Sequence, residues 1–490
     1  MLGGSKMKRQ VILTTIISIL IISLIVWAIS CAVNPVTKKR EFMLLSENDE
    51  IALGKQTDQQ VLQVYGNYKD TELLNYVNSM GQKMAKLSHR PHLNFEFKVL
   101  DSPVINAFAV PGGYVYFTRG ILAYLNNEAE LAGVMGHEIG HITARHSAKQ
   151  YSNAQLTQLG LSIGAMASEV FRKYAGLAQF GVQMLFLSFS RDNERQADAL
   201  GVEYSTKAGY DSNHMANFFV TLERQHPSDS QSGLPEWFST HPNPPDRIAA
   251  IKRDAQKWQS QVQQKQFVVN RDNFLRKIDS ITFGDDPQQG YVENNFFYHP
   301  QLRFQFPIPA DWKVNNTPSQ VQMISKADDA VIIFSLANEK SPSEAANAFI
   351  TSSKATVGKS EATTVNGLRA HRVLSTMATE QGNIGIASYF IQKDSFVFVF
   401  HGFSGQAKFE EYLPAFTNTM KQFKNLTDPR KINVKPDRIA IKQIRTQSTL
   451  RKAFQQFGVP NDKMENLAIM NGMQLDETVP ANTLIKVVVK

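Results

Sequence analysis

The hydrophobic positions change period several times along the chain. Val11 to Ile29 is continuous apolar sequence, interrupted only by Thr and Ser. Residues 41–90 read as two helices. Ser46 with Asp49 opens the first, and Leu73, Leu74, Val77, Met84 and Leu87 give the second an apolar stripe. Phe95-Glu96-Phe97-Lys98-Val99 alternates as a strand does, and Tyr114 to Thr118 predicts a second strand after the turn Pro111-Gly112-Gly113. A helix over about 127–150 is opened by Asn126-Asn127-Glu128-Ala129-Glu130, whose cap-like and acidic residues suit a helix start. Another helix carries Glu194 and ends near Gly209, and a last one spans about 245–264. Between them, 154–190 is apolar but carries Glu169, Arg172 and Lys173, which predicts packed or amphipathic helices rather than a membrane span. A mobile helical cover over a site is the second reading of that stretch.

From about 270 the period shortens. Phe304, Phe306, Val331 to Phe334 and Phe396 to Phe400 are strand-like, with helical stretches at 342–354 and 407–423. The expected class is α+β. A mostly helical domain with a small edge sheet spans 40–265, and an α/β sandwich spans 270–430. After Asp428-Pro429-Arg430, residues 437–490 suffice for a βααβ-sized module.

Composition sharpens the picture at the N-terminus. Lys6, Lys8 and Arg9 precede the apolar run, Ala28-Ile29-Ser30 follows it, and Cys31 is the single cysteine of the 490 residues. A charged segment, an apolar segment and small residues form a secretory signal, and a cysteine just after it is a lipidation site. The same run is long enough to serve instead as an uncleaved transmembrane anchor. Either reading places residues 32–490 outside the cytoplasm, tethered to a membrane. One cysteine cannot form an internal disulfide, so stability must come from buried cores. The formal charge is +8, and from Lys431 to Lys490 ten Lys/Arg face five Asp/Glu. That excess suits an anionic surface such as cell wall or lipid headgroups, or is simply a solvated basic face. No nucleic-acid module is expected.

The candidate chemistry lies in Gly136-His137-Glu138-Ile139-Gly140-His141. On a helix His137 and His141 lie one turn apart, so both imidazoles can reach one zinc ion, and Glu138 is placed to take a proton from water. A catalytic zinc needs a third ligand. Glu194 in Glu194-Arg195-Gln196-Ala197-Asp198 is the candidate, with Asp198 one turn later able to hold a ligand imidazole. An exposed acidic ladder is the competing reading of that pair. His241 and Arg247 flank the Pro-rich segment His241-Pro242-Asn243-Pro244-Pro245-Asp246-Arg247. Either could donate to an oxyanion, His241 could occupy the fourth zinc position at rest, or both could be ordinary loop and surface residues. His146 has no partner pattern and is read as structural.

Taken in order, Asn106-Ala107-Phe108-Ala109-Val110-Pro111-Gly112-Gly113, the His-Glu-x-x-His motif, Glu194-x-x-Ala-Asp198, and His241-Pro242 with Arg247 resemble one family. It is the periplasmic, BepA/YfgC-like branch of the zinc endopeptidases that include the CaaX prenyl endopeptidases and HtpX, and the likeness covers about 40–265. The resemblance implies one zinc held by His137, His141 and Glu194, with Glu138 as base. It implies Asp198 behind the ligands and His241 and Arg247 lining the site. Asn106, Ala107, Phe108 and Ala109 would be an edge strand that binds extended substrate. In place of the tetratricopeptide repeats of BepA-like proteins, 290–426, with Phe306-Pro307-Ile308-Pro309-Ala310-Asp311-Trp312, is similar to PsbP/Mog-like sandwiches. The tail, with Thr449-Leu450, Asn471-Gly472 and Leu484-Ile485-Lys486-Val487, resembles a degenerate LysM module. The expected function is a membrane-tethered zinc endopeptidase cleaving misfolded or misassembled envelope proteins. An assembly chaperone or adaptor that cleaves occasionally is the alternative, and a cell-wall hydrolase a third, suggested only by the tail.

Overall fold

The computed structural model describes residues 31–152, 188–225, 237–242, 246–264, 266–379 and 382–490. The expected signal or anchor at 1–30 and most of the apolar stretch 154–190 lie outside them. Among the described residues no helix is long and apolar enough to cross a membrane.

The first two helices form where their caps and stripes place them. Glu47–Tyr65 opens on a capping box, with the Asp49 amide donating to Ser46 Oγ and the Ser46 amide to the Asp49 carboxylate. Thr71–Ala85 is capped by Asp70 and turns Leu73, Val77, Met80 and Met84 inward. A small sheet follows. Glu96–Leu100 runs parallel to Tyr114–Thr118, whose other side pairs antiparallel with Ala107–Val110, leaving Ala107–Val110 at an edge.

The motif helix is Glu128–Thr143, buried along its whole length. The predicted single helix over about 127–150 is broken. Arg145 adopts a left-handed φ of 60°, and residues 146–152 then resume helical structure. The break is held by side chains, because Arg145 pairs with Glu50 and donates to the Leu45 carbonyl. Arg90 binds Glu50 and the Ile142 carbonyl beside it. Arg191–Lys207 packs on the motif helix, and His214–Arg224 and Arg247–Gln261 complete the helical layer.

The class is α+β as expected. Seven antiparallel strands run in the order Lys313–Asn316, Gln320–Ile324, Ala330–Leu336, Phe396–Gly405, Gly382–Lys393, Leu368–Thr379, Thr356–Val365. Pro342–Ser353 covers one face with Phe349 near Phe390. Phe409–Lys421 lies over a phenylalanine-rich core that includes Phe304, Phe306, Phe334 and Phe400. At the C-terminus Asp437–Gln443 pairs antiparallel with Leu484–Val489, and the helices Leu450–Gln456 and Met464–Met470 lie between them in sequence, a βααβ unit. Thr282–Phe283 adds to the other side of Asp437–Gln443. The core of this unit is continuous with that of the motif helix: Phe274, Ile439, Phe454 and Ile485 belong to one buried cluster with Leu131 and Ile139.

Candidate metal centre

Two glycines bring the site together. A Cβ on Gly136 would lie 2.8 Å from the Gly201 carbonyl oxygen, and one on Gly201 would lie 2.9 Å from the His137 amide nitrogen. No other residue lets the motif helix and Arg191–Lys207 approach so closely. That approach sets Glu194 and Asp198 against His137 and His141.

The imidazoles of His137 and His141 meet Nε2 to Nε2 at 3.0 Å. Glu194 Oε1 is 3.4 Å from His141 Nε2, and Glu194 Oε2 is 3.6 Å from His137 Nε2. His241 closes the group, its Nδ1 3.1 Å from Glu194 Oε1 and 3.3 Å from His137 Nε2. All four side chains are buried, and one ligand atom from each lies within 4.8 Å of the others. Ring nitrogens facing each other at such distances need a shared proton or a cation between them. A buried set of imidazole nitrogens and one carboxylate is the donor set zinc takes. The residues fit a zinc ion.

Around this group the charges are ordered. Asp198 accepts from His137 Nδ1 at 2.9 Å and receives the Arg247 guanidinium through Nε at 2.6 Å and Nη2 at 2.8 Å. Arg247 also stands 3.0 Å from Glu194 Oε2 and lies over the Phe219 ring. Burial would raise Asp198, but Arg247 and His137 outweigh it and keep the carboxylate ionised. Burial likewise opposes ionisation of Glu194, and His241, His141 and His137 overcome it. Glu138 behaves differently. Burial dominates and pushes its carboxyl up, and neither of its oxygens has a hydrogen-bond partner among the described residues. Burial also holds His141 well below its ordinary value and His146 at about 4, so both rings are neutral. For His241 the balance reverses, because Glu194 and Glu138 outweigh burial and raise it.

Residues 72–255 match the family model described as peptidase family M48. Over those residues the chain is similar to M48 peptidases. Over 249 residues the chain is 31% identical to the beta-barrel assembly-enhancing protease of Escherichia coli (strain K12), covering 48% of this chain and 49% of that protein. It is 32% identical over 220 residues to the protein of the same name from Yersinia pestis, covering 43% and 45%. It is 30% identical over 225 residues to the mitochondrial metalloendopeptidase OMA1 of Schizosaccharomyces pombe, covering 44% and 64%. The chain thus spans about half the length of the first curated relatives it matches. Among solved structures, a cyanobacterial PsbP from Synechocystis aligns with 28% of this chain and 91% of its own length, at 11% identity and a TM-score of 0.23. The yeast Ran-binding protein Mog1p aligns with 28% and 97%, at 12% identity and a TM-score of 0.21. Likenesses of that size carry no assignment for the sandwich.

Within this region the residues singled out from the His-Glu-x-x-His, Glu-x-x-Ala-Asp and His-Pro segments converge, whereas Asn106 to Ala109 lie apart in the small sheet. His137, Glu138, His141, Glu194, Asp198, His241 and Arg247 form one buried group. Asn106 precedes the edge strand, and the adjoining Ile105 carbonyl accepts from the Trp237 amide at 3.0 Å. Three residues were not foreseen. Trp237 stacks on His241, a contact that their spacing of four within a short helical turn could have suggested. Phe189 lies over His141 with ring centroids 4.0 Å apart, and nothing in the sequence marked it. His146, read from the sequence as structural, sits with its Nδ1 3.1 Å from His141 Nδ1. A third histidine five positions beyond the motif was its only signal.

Proposed function

We propose that this chain is a zinc-dependent endopeptidase of the cell envelope, tethered to a membrane, that cleaves misfolded or misassembled envelope proteins. The observation that carries the reading is the Glu138 carboxyl, without a hydrogen-bond partner among the described residues, beside the convergent His137, His141 and Glu194.

When bound, zinc supplies a Lewis acid that lowers the pKa of water toward about 7 and polarises a carbonyl. His137, His141 and Glu194 would hold it. Glu138 takes a proton from the attacking water and passes it to the departing amine, a task suited to a carboxyl whose burial raises its proton affinity. Asp198 fixes His137 with its Nε2 toward His141 and Glu194, where a metal would sit, and Arg247 holds Asp198 and Glu194 in place. The edge Asn106 to Ala109 receives an extended substrate backbone by strand addition. His241, through Nδ1, would be a fourth donor at rest, and its closeness to Glu194 supports this over the oxyanion role.

The envelope substrate class is supported by the printed name of the Escherichia coli and Yersinia pestis relatives, beta-barrel assembly-enhancing protease. The tether rests on the 1–31 pattern, as a lipid on Cys31 or an uncleaved anchor. Mass spectrometry of the mature N-terminus separates them: a diacylated or triacylated Cys31 against a start at Met1 or Met7. The test of the activity is metal analysis with casein cleavage by purified residues 32–490. One zinc per chain is expected, and Glu138→Gln should abolish cleavage while zinc stays bound. Loss of zinc in that variant, or undiminished cleavage, refutes the role of Glu138. Growth or assembly functions that survive Glu138→Gln would favour the alternative, an assembly chaperone or adaptor.

A further inference from the structure

We infer that His146 and Gln196 form a hydrogen-bond relay that fixes the tautomer and orientation of His141 as a metal ligand. The inference rests on the zinc reading above. His141 presents Nε2 to His137 and Glu194, so Nε2 is the atom that must offer a lone pair to a cation. A neutral imidazole carries one proton, which then sits on Nδ1 and needs an acceptor. The ring atom in reach is His146 Nδ1, at 3.1 Å. Two nitrogens at that distance form a bond only if one of them carries hydrogen. With His141 as donor, His146 Nδ1 is the acceptor and the His146 proton sits on Nε2. That atom is 2.9 Å from Gln196 Oε1, which accepts and cannot donate. Each assignment is forced by the one before it, from the ligating lone pair out to the amide.

The relay has a definite structural origin. The left-handed Arg145 turns the chain between His141 and His146, and His146 is 1% exposed with its ring edge-on to His141 at 5.0 Å between centroids. Gln196 comes from the helix that also carries Glu194 and Asp198. One helix therefore supplies a ligand, the carboxylate behind His137 and the amide that ends the chain behind His141. The two imidazoles differ in what backs them, an ionised carboxylate for His137 and a neutral imidazole for His141. His146 is thus a positioning residue, and what it must keep is an acceptor where Nδ1 lies.

The test is zinc affinity of the full chain by chelator competition at fixed pH, together with the nitrogen-15 shifts of the histidine rings. The loss of a group behind a ligand typically costs about 10–100-fold in metal affinity. His146→Phe keeps an aromatic ring without an acceptor and should lose about that much, whereas His146→Asn places Oδ1 near the Nδ1 position and should stay within about threefold of the parent. Gln196→Lys touches no ligand, and its side chain is partly exposed. Its ammonium would donate to His146 Nε2, force the proton onto His146 Nδ1, and set two N–H groups against each other. Zinc should weaken as in His146→Phe, while Gln196→Glu, an acceptor, should bind normally. A packing role would follow ring size and ignore this donor–acceptor distinction. The loaded parent should show His141 as the Nδ1–H tautomer and His146 as Nε2–H. Zinc bound as tightly by His146→Phe and Gln196→Lys as by the parent would overturn the relay. A parent chain that binds no zinc would overturn the metal reading itself.

Discussion

Trp237 stacks nearly parallel on His241, with ring centroids 4.3 Å apart and planes inclined by 22°. The His241 amide also donates to the Trp237 carbonyl at 2.8 Å. The imidazole is therefore held against Glu194 by a short helical turn and an aromatic face rather than by a loose loop. Removing it should release the site. His241→Ala is expected to raise basal cleavage of a flexible substrate at unchanged zinc content, and Trp237→Leu should move in the same direction by loosening the ring. Turnover of an unfolded casein at fixed enzyme and zinc concentration measures this. A fall of about 100- to 1,000-fold would instead identify His241 as an oxyanion donor.

Glu194 and Asp198 lie one turn apart, yet their losses should differ in kind. On the proposed ligand set, Glu194→Ala removes one of three ligands and should leave the protein essentially free of zinc. Asp198→Ala removes the acceptor behind His137 and two bonds from Arg247, so zinc should remain but bind about 10–100-fold more weakly. The same variant leaves the Arg247 guanidinium buried with Glu194 as its remaining carboxylate neighbour, and thermal stability should fall with it. Metal content by elemental analysis decides the first outcome and chelator competition the second. A metal-free Asp198→Ala beside a loaded Glu194→Ala would reverse the two roles.

Much of the convergent group was legible in the sequence because its spacing follows from helix geometry: His141 lies four positions after His137, and Asp198 four after Glu194. The cap at Asn127 was legible for the same local reason, and it is observed with the Glu130 amide donating to Asn127 Oδ1. The break at Arg145 was not, since it depends on Glu50 and the Leu45 carbonyl, about a hundred residues away. His146 was missed with it, because an unbroken helix would not have turned that ring toward His141. Phe189 reaches His141 through its backbone bond to Thr240, another long-range contact no local pattern encodes.

The sandwich should weaken in mild acid. His299 and His401 are both held at about 4, His299 by burial against a small opposing contribution from its own backbone, His401 by burial alone. His299 Nδ1 accepts from the Leu302 amide, and His401 Nδ1 lies 2.7 Å from Ser388 Oγ under the Phe349 ring. In the unfolded chain these rings protonate near the ordinary value of about 6.5. Between that value and about 4 the unfolded chain binds more protons, so stability falls as pH falls through this window and levels off below it. The melting temperature of the sandwich should drop by several degrees, about 5 °C, from pH 7 to pH 4.5. His401→Phe should drop less across the same interval. A drop equal to the parent's would leave His401 outside the linkage.

Lys486 ties the C-terminal unit to the end of the short helix Arg119–Tyr124, which precedes the motif helix. It is fully buried on the strand Leu484–Val489, and its ammonium donates to the carbonyls of Ala123 and Leu125 at 2.8 Å each. Burial and nearby Arg271 push its proton affinity well below that of an ordinary lysine, and Glu130 opposes them. Glu130 itself, the residue that closes the Asn127 cap, is pushed up to about 7 by burial against the Asn126 amide, Lys486 and Arg271. Lys486→Met fits the same channel but strands two carbonyls and removes one cation from Glu130. The expected loss is about 2–3 kcal/mol, read as a lower denaturant midpoint for the unfolding step that releases zinc. The bond reaches across more than 360 residues, so removing 437–490 should destabilise the helical domain that carries the motif rather than leave it intact. An independently mobile wall-binding module would tolerate both changes. An unchanged midpoint in Lys486→Met, with zinc released at the same denaturant concentration, would mean that the ammonium costs as much to bury as its two carbonyl bonds return, and that the shared core around Ile439, Phe454 and Ile485 does the holding instead.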